Sequence, residues 1–398
     1  MTATPQADQA LFAPLHLPSG TVLKNRIVKS AMSDSLGDGR GNPTKAQMTL
    51  YRRWARGGVA LSIVGEVQGS RQFAEKPGNL VLDEQADSAG FRALANAGSC
   101  DGAQLWLQLG QAGAMADPRI SRPKGPSALD LPGLRADALT LAEIAALPDA
   151  FAATARRAER LGFGGVQIHA AHGFLLSQFL SPLFNRRGDD YGGTAQNRRR
   201  LLIEVVAAVR GAVGPGFAVG LKINATDQLQ GGLDAPEALE AIADLTGAGL
   251  DLIDISGGTY FPGAVSGSDR AADGPYFADF ANAAIRRTDV PLMVTGGIKT
   301  HAQAQALVAG PAAAVGLARA LVLDPDLPNR WRAGGADPGF PRFTDPPEGG
   351  VTAWYTMRLN DLANGDVSDR TLPEALAAYT ARDAARVASW TARFGADA

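Results

Sequence analysis

Short apolar runs alternate with amphipathic stretches along most of this 398-residue chain. Eight of the apolar runs are rich in β-branched and large side chains and have the length of buried strands. These predicted strands are Arg26–Met32, Val59–Val67, Ala103–Leu109, Gly165–His169, Phe217–Asn224, Leu250–Ser256, Pro291–Thr295 and Ala312–Gly316. Helical patterns lie between them, including Thr44–Arg56, Leu141–Leu161, Arg198–Val213, Pro236–Ala248 and Thr300–Ala309.

Eight strands, each followed by a helix, predict the α/β class and a closed parallel (β/α)8 barrel of the TIM type. An open, doubly wound sheet is the alternative. It would need a glycine-rich fingerprint after its first strand, and Ser33–Gly39 is not one. We expect one domain over residues 1–398, with an N-terminal hairpin, the barrel over about residues 24–332 and a helical C-terminal extension over about residues 350–398.

Two connections are too long to be simple links between a strand and a helix. Gly110–Ala138 follows the third strand and Gly257–Pro275 follows the sixth. Both leave the carboxyl-terminal ends of strands, the face on which barrel enzymes build their active sites. We expect both segments to cover a cofactor and a substrate. The alternative is that they are surface excursions with no part in the site.

The composition argues against several classes of function. A net charge of −2 and a pI near 6.1 provide no basic surface for nucleic acid. No run of about 18 apolar residues and no basic amphipathic stretch indicates a membrane, and Met1–Gln9 lacks the apolar core of a secretory leader. The single cysteine, Cys100, excludes internal disulfides and four-cysteine iron–sulfur sites. A cytoplasmic enzyme with a small-molecule substrate and no metal is expected.

Candidate chemistry is concentrated where the fourth predicted strand ends. His169 and His172 are two of the four histidines in the chain, and they lie three residues apart at this point. Two imidazoles can direct ring N–H groups at one developing negative charge, which suits the stabilisation of an oxyanion. The alternative is that one of the two histidines packs or caps locally.

The residues around this pair carry a family resemblance. His169–Pro182 reads HAAHGFLLSQFLSP, Asn185–Gly193 reads NRRGDDYGG, and Asn197 and Arg198 follow. Together with Leu11–Ser33 and Val315–Leu321, these segments resemble the signature of the old yellow enzyme family. That family consists of FMN-dependent NAD(P)H oxidoreductases and ene-reductases. The resemblance implies FMN as the cofactor and NADH or NADPH as the hydride donor.

The resemblance also implies a substrate site. His169 and His172 would bind the oxygen of an electron-poor acceptor, such as an enone, activated alkene, quinone or nitro compound. Flavin N5 would deliver hydride to this acceptor. His169 would also contact the flavin. Relatives usually have a proton-donating tyrosine two residues after the second histidine, but this chain has Phe174 there. Tyr260, just beyond the sixth strand, is the candidate substitute donor and would also be a catalytic residue. Its alternative role is an aromatic side chain at the rim that stacks on substrate.

The pyrimidine end of a flavin needs a fixed cation and hydrogen-bond donors, because reduction places negative charge there. Lys222 is a charged residue inside an otherwise apolar strand, and the family usually has a basic residue at this position. Gln108 matches the family glutamine that bonds the same ring edge, with Gln104 as its rival.

Further flavin contacts are implied at the ends of the first two strands. Ala31, Met32 and Ser33 resemble the segment that supports the ring, and Ser33 would act there as a hydroxyl donor. A helix cap or turn is the alternative role for Ser33. Glu66 follows the second strand at a position near the ring in the family, and its role is open.

The FMN phosphate is expected on the loops after strands seven and eight, where barrel enzymes often bind phosphate. Glycines let a phosphate approach the main chain, and an arginine can bind two of its oxygens. The resemblance places this site on Gly296, Gly297, Ala318 and Arg319. Many relatives have glycine where this chain has Ala318.

Other functions stay open at this point. One alternative is a dehydrogenase or demethylase that works in the oxidative direction, and another is a flavin-binding protein without ene-reductase activity, for which Phe174 is the argument. An RNA-modifying FMN barrel would need a basic surface and a cysteine acid beside the flavin, whereas Cys100 lies at a helix end. Homo-oligomers are common for this architecture, and the oligomeric state cannot be read from the residues.

Overall fold

The computed structural model describes residues 10–261, 274–366 and 368–395. Eight parallel strands form its barrel: β1 Ile27–Ser33, β2 Leu61–Gln68, β3 Gln104–Leu109, β4 Gly165–Ala170, β5 Ala218–Asn224, β6 Leu252–Ser256, β7 Leu292–Thr295 and β8 Ala314–Leu317. Each strand pairs with the next one in the chain, and β8 pairs with β1, which closes the sheet. The predicted (β/α)8 barrel is confirmed.

Helices follow every strand of the barrel, and two more form the C-terminal extension. They are α1 Lys45–Arg56, α2 Ser88–Gly98, α3 Leu141–Arg160, α4 Leu175–Leu180, α5 Ala195–Ala212, α6 Ala235–Asp244, α7 Ala278–Ala284, α8 His301–Val308, α9 Arg319–Leu323, α10 Leu327–Arg332, α11 Gly350–Asn364 and α12 Leu372–Phe394. The prediction began α5 at Arg198. The helix begins earlier because the Thr194 hydroxyl caps it by accepting a hydrogen bond from the Asn197 amide.

The lower part of the barrel, toward the amino-terminal ends of the strands, contains a cluster of buried apolar side chains from the strands and the N-terminal hairpin. The largest of them is Trp106 on β3, which is fully buried. Its indole fits because β4 and β5 each have a glycine beside it. A Cβ atom on Gly165 would lie 2.8 Å from the indole, and one on Gly220 would lie 3.1 Å from it. Large and small residues therefore alternate across the barrel interior.

Register places three ionisable side chains in one layer near the upper end of the barrel. His169 on β4 is level with Lys222 on β5, and Lys222 is level with Asp254 on β6. Because the strands are parallel, their carboxyl-terminal ends share this face. The polar layer therefore lies above the apolar filling and below the loops.

The loops over this face include the first predicted cover and the described ends of the second. The one after β3 contains three short strands, Lys124–Gly125, Leu129–Leu131 and Leu134–Ala138. The one after β6 begins with residues that contact the region beyond β4, since the rings of Phe261 and Phe184 stack with centroids 3.8 Å apart. Residues 262–273, the greater part of that second predicted cover, lie outside the described residues.

The first and last described elements pack against the barrel. The predicted N-terminal hairpin is present, with Leu15–His16 antiparallel to Val22–Leu23. In the C-terminal extension, α12 buries Trp390 in a cluster that includes Val81 and Ile120 from loops beyond β2 and β3. Across the described ranges, no helix has both the length and the apolar character needed to cross a membrane.

Candidate active site

The first strand opens onto an accessible region at its carboxyl-terminal end. Ile27–Ser30 are buried, whereas Ala31, Met32 and Ser33 are only half-buried. The Ser33 hydroxyl has no hydrogen-bond partner among the described residues, although its oxygen is itself buried. It caps no helix, since the cap of the following helix is Thr44. Buried polar atoms normally have partners, so a bound ligand would complete this one.

Lys222 is a buried cation with a buried counter-charge. Its Nζ atom lies 3.0 Å from Asp254 Oδ2 and donates a hydrogen bond to Ser30 Oγ at 2.9 Å. The Lys222 side chain is 2% exposed and that of Asp254 is fully buried. A buried ammonium group needs such a pair to remain charged. The carboxylate also offsets part of the positive charge that Lys222 presents to a ligand.

The two glutamines of β3 lie at opposite ends of the strand. Gln108, near the carboxyl-terminal end, donates from Nε2 to Gln167 Oε1 at 2.8 Å, and Gln167 in turn donates to Asp254 Oδ2 at 3.3 Å. Gln104 is the first residue of the strand and packs beside Gly164. Gln108 therefore belongs to the polar layer that contains Lys222, and Gln104 does not.

The two histidines face each other at the end of β4. His169 Nε2 lies 3.1 Å from His172 Nδ1, and His172 Nε2 lies 2.9 Å from Ser256 Oγ. The backbone turns sharply between them, with His172 at φ 62°. This left-handed conformation is held by the hydrogen bond from the His172 amide to Asn224 Oδ1. The residue is thus fixed in place by its main chain as well as by its ring.

Both imidazoles are neutral at physiological pH. Burial, with the positive charge of Lys222 as a second cause, lowers the pKa of His169 to about 3. Burial lowers the pKa of His172 well below its usual value, and Lys222 adds to the effect. A neutral imidazole has one N–H donor and one bare nitrogen. Each ring can therefore donate one hydrogen bond toward a ligand oxygen, provided that the proton is on the correct nitrogen.

An aromatic group lines the region beside the histidines. The ring of Phe174 is buried and its centroid lies 4.9 Å from that of His169. Tyr260 lies 5.9 Å from the His172 ring and 6.0 Å from the Phe174 ring, measured between centroids. The Tyr260 side chain is 60% exposed. Phe174 thus forms the inner wall of this group, and Tyr260 forms its outer edge.

Glu66 contributes a carboxyl group to the same cluster. It is 3% exposed, and its Oε1 atom lies 3.4 Å from His169 Nδ1. Gly110 makes room for it, because a Cβ atom there would lie 1.8 Å from Oε1. Burial raises the pKa of Glu66 well above its usual range, and the negative charge of Glu75 raises it further. Both causes favour the neutral carboxyl group over the carboxylate.

The predicted phosphate-binding residues lie together after β7 and β8. Gly296 and Gly297 have φ values of 124° and 75°, which favour glycine. Gly297 is also required by packing, since a Cβ atom there would lie 2.2 Å from the Gly274 carbonyl oxygen. Ala318 precedes α9, and the guanidinium of Arg319 stacks 5.6 Å from the centroid of the Tyr355 ring. Within the described ranges, no carboxylate forms an ion pair with Arg319.

Comparison with known proteins decides the family. Residues 10–337 match the NADH:flavin oxidoreductase / NADH oxidase family. The chain belongs to this family. It is 35% identical over 359 residues to the NADH-dependent flavin oxidoreductase iliE of Neonectria sp. (strain DH2), covering 81% of this chain and 47% of that protein. The chain thus spans about half the length of that relative.

Two further proteins agree with this assignment. The NADPH dehydrogenase of Bacillus licheniformis is 33% identical over 329 residues, which covers 81% of this chain and 94% of that protein. The solved structure of morphinone reductase superimposes with a TM-score of 0.73 at 28% identity, covering 84% of this chain and 92% of the other. All of these comparisons agree on one family of flavin oxidoreductases, the old yellow enzyme family.

The residues at the carboxyl-terminal face fit FMN. Lys222 and Gln108 would hold the pyrimidine edge of the ring, and the unpartnered Ser33 hydroxyl would bond its opposite polar edge. Arg319, with Gly296 and Gly297 beside it, would bind the phosphate. Within the described ranges, no group of three or more His, Cys, Asp or Glu side chains could hold a metal ion.

Sequence reasoning missed several polar residues of the site. Asp254, Gln167 and Ser256 all contact predicted site residues, and Asn224 fixes the backbone of His172. Asp254 had a detectable signal: like Lys222, it is a lone charge inside an apolar strand. Gln167 and Ser256 had none, because single uncharged polar residues are common at strand ends.

Proposed function

We propose that this protein passes hydride from NADH or NADPH, by way of FMN, to an electron-poor acceptor such as an enone, activated alkene, quinone or nitro compound. The observation that carries the proposal is the separation of 3.1 Å between His169 Nε2 and His172 Nδ1. An acceptor oxygen that lies beside both nitrogens would replace the hydrogen bond between the two imidazoles and would receive one from each ring. Donors fixed in a buried site stabilise the negative charge that develops on such an oxygen.

Reduction of an activated alkene consumes a hydride at the β-carbon and a proton at the α-carbon. FMN supplies the hydride when it is bound. Phe174 has no proton to donate, so we assign that role to Tyr260, whose ring borders both Phe174 and His172. Its exposure would allow the phenol to regain a proton from water. A nitro group or a quinone takes up protons on oxygen instead, where the histidines would lie.

The test uses FMN-loaded protein under anaerobic conditions. NADH or NADPH should bleach the flavin absorbance, and a panel of enones, quinones and nitro compounds should restore it. Binding of a phenol ligand should produce a long-wavelength band in the wild type. The double variant His169→Ala with His172→Ala should lose this band and retain FMN. The exposed His16→Ala is the matched control and should keep both.

Three outcomes would contradict the proposal. Failure of either nicotinamide to reduce the flavin would indicate a protein without this catalytic activity. Reduction of the flavin by an amine substrate in the absence of nicotinamide would indicate the oxidative direction. Loss of FMN from the double histidine variant would show that the two residues hold the cofactor rather than the acceptor.

A further inference from the structure

Glu66 makes a contact that none of the roles above uses. Its Oε1 atom lies 3.4 Å from His169 Nδ1, and its Oε2 atom is buried without a hydrogen-bond partner among the described residues. On the other side of the same imidazole, Nε2 faces His172 Nδ1. The carboxyl group and the proposed acceptor oxygen would therefore bind opposite nitrogens of one ring.

The two nitrogens of a neutral imidazole depend on each other. When one nitrogen accepts a hydrogen bond, the proton resides on the other, which becomes the donor. A neutral Glu66 would donate to His169 Nδ1 and leave the proton on Nε2. An ionised Glu66 would instead accept from Nδ1–H and leave Nε2 with a bare lone pair. Only the first arrangement lets His169 donate to an acceptor oxygen.

We propose that Glu66 is a positioning residue that, as a neutral carboxylic acid, holds His169 in its Nε2–H tautomer. This inference rests on the proposed function, because it concerns the donor that His169 offers to the acceptor. When an acceptor oxygen has replaced the hydrogen bond between the two imidazoles, Ser256 can do the same for His172: its hydroxyl can donate to Nε2, 2.9 Å away, which leaves the proton on Nδ1. Each histidine would thus be set as a donor by a residue behind it.

The surroundings of Glu66 favour the neutral form. Burial is the largest cause of the raised pKa, and the carboxylate of Glu75 adds to it, whereas the ammonium of Lys76 opposes it. Lys76 is itself paired with Glu75 at 3.2 Å, which weakens that opposition. The other ionisable groups near the carboxyl are His169, which is neutral, and Tyr260. Ionisation of Glu66 at high pH would therefore switch off the His169 donor.

The tautomer can be observed directly in the FMN-loaded protein labelled with 15N-histidine. The chain has only four histidines, so the ring nitrogen signals are few, and the His169→Asn variant assigns those of His169. In the wild type, the Nε2–H form should prevail at neutral pH and convert to the Nδ1–H form as the pH rises through the ionisation of Glu66. In Glu66→Gln, no such conversion should occur, because the amide does not titrate.

Glu75→Gln is the matched control, since it removes the neighbouring carboxylate and keeps Glu66. That variant should retain the tautomer conversion with its midpoint at lower pH, because a negative charge that raises the pKa of Glu66 has been removed. Persistence of the conversion in Glu66→Gln would overturn the inference. So would a His169 that carries its proton on Nδ1 throughout the neutral range in the wild type.

A binding measurement separates this inference from the proposed function. Cyclohexanone is a neutral ketone without an alkene to reduce, and its binding can be followed by the change in flavin absorbance. Its affinity for the wild type should fall about tenfold above the midpoint, the effect of losing one hydrogen bond of roughly 1.4 kcal/mol. The affinity of Glu66→Gln should not vary with pH.

This experiment distinguishes failure of the inference about Glu66 from failure of the proposed function. If the double histidine variant loses cyclohexanone but the His169 tautomer is independent of Glu66, the proposed function stands and the inference is wrong. If the double variant still binds the ketone with unchanged affinity, the proposed function is wrong, and the inference fails with it.

Discussion

Lys222 on β5 and Asp254 on β6 face each other in register and form an ion pair of 3.0 Å in the interior of the barrel. The cation proposed to stabilise a reduced flavin thus has a carboxylate beside it. Gln167 and Thr295 also bond this carboxylate, at 3.3 and 2.6 Å. Asp254 is therefore held rigidly, and the charge near the flavin is a property of the pair rather than of Lys222 alone.

Asp254→Asn should raise the reduction potential of bound FMN. Removing the carboxylate leaves the positive charge of Lys222 uncompensated, and that charge stabilises the reduced, more negative flavin. The expected shift is on the order of 30 mV, which corresponds to about 1.4 kcal/mol for a two-electron couple. Anaerobic titration against a reference dye measures it. The control is Asp251→Asn, which removes a buried carboxylate just before the start of β6. A shift of equal size in that variant would refute the proposal that Asp254 acts on the flavin through Lys222.

Phe174→Tyr should speed the reduction of a simple cyclic enone. The new hydroxyl would restore an acid beside His169, and general acid catalysis contributes roughly 10²–10⁴-fold when proton delivery limits the rate. Stopped-flow reoxidation of the reduced protein by the enone gives the rate, and flavin reduction by nicotinamide should be unaffected. An unchanged rate would show that proton delivery does not limit the reaction.

Tyr260→Phe tests the proposed proton donor by removing its hydroxyl group. Reoxidation by the enone should slow by roughly 10²-fold if the Tyr260 phenol supplies the proton. Reoxidation by a quinone should change little, because its protons go to oxygen. The variant keeps the aromatic ring and its packing beside His172 and Phe174, so equal slowing with both acceptors would indicate a role in stacking instead.

Arg319→Met should weaken the retention of FMN by about 10- to 100-fold in Kd, since a charge-assisted contact with phosphate contributes roughly 1.5–3 kcal/mol. Fluorescence of released flavin during dilution measures the Kd. Arg358→Met is the matched control, because Arg358 also stacks at 5.6 Å from an aromatic ring, that of Trp354, on the same helix as Tyr355. If both variants lose FMN equally, the effect comes from disturbed packing of α11.

Lys29→Met should stabilise the protein most at low pH. Lys29 is buried against the Trp54 ring, and burial lowers its pKa from 10.5 to about 7. Between these values the unfolded chain binds more protons than the folded one, so this residue makes the wild type more stable as the pH rises. The advantage of the variant should therefore shrink by about 1.4 kcal/mol per pH unit above pH 7. Urea denaturation across this range tests the prediction, with the exposed Lys45→Met as the control.

The sequence by itself determined the barrel and most of its boundaries. Patterns such as the apolar run Phe217–Asn224 and the helical repeat of Leu141–Leu161 can be recognised within short segments. The reason is that the spacing of buried side chains follows directly from strand and helix geometry. It also indicated Lys222, since a charge within an apolar strand must have a buried partner. The histidine pair and the missing tyrosine at Phe174 could likewise be read from adjacent residues.

Only the tertiary structure decided which side chains meet across the barrel. The partner of Lys222 depends on the register between β5 and β6, and Glu66 contacts His169 across 103 residues of sequence. It also decided that Gln108 rather than Gln104 joins the polar layer, because the two lie at opposite ends of one strand. Such contacts arise when the sheet closes and buried polar groups must find partners, and no local pattern specifies which ones they find.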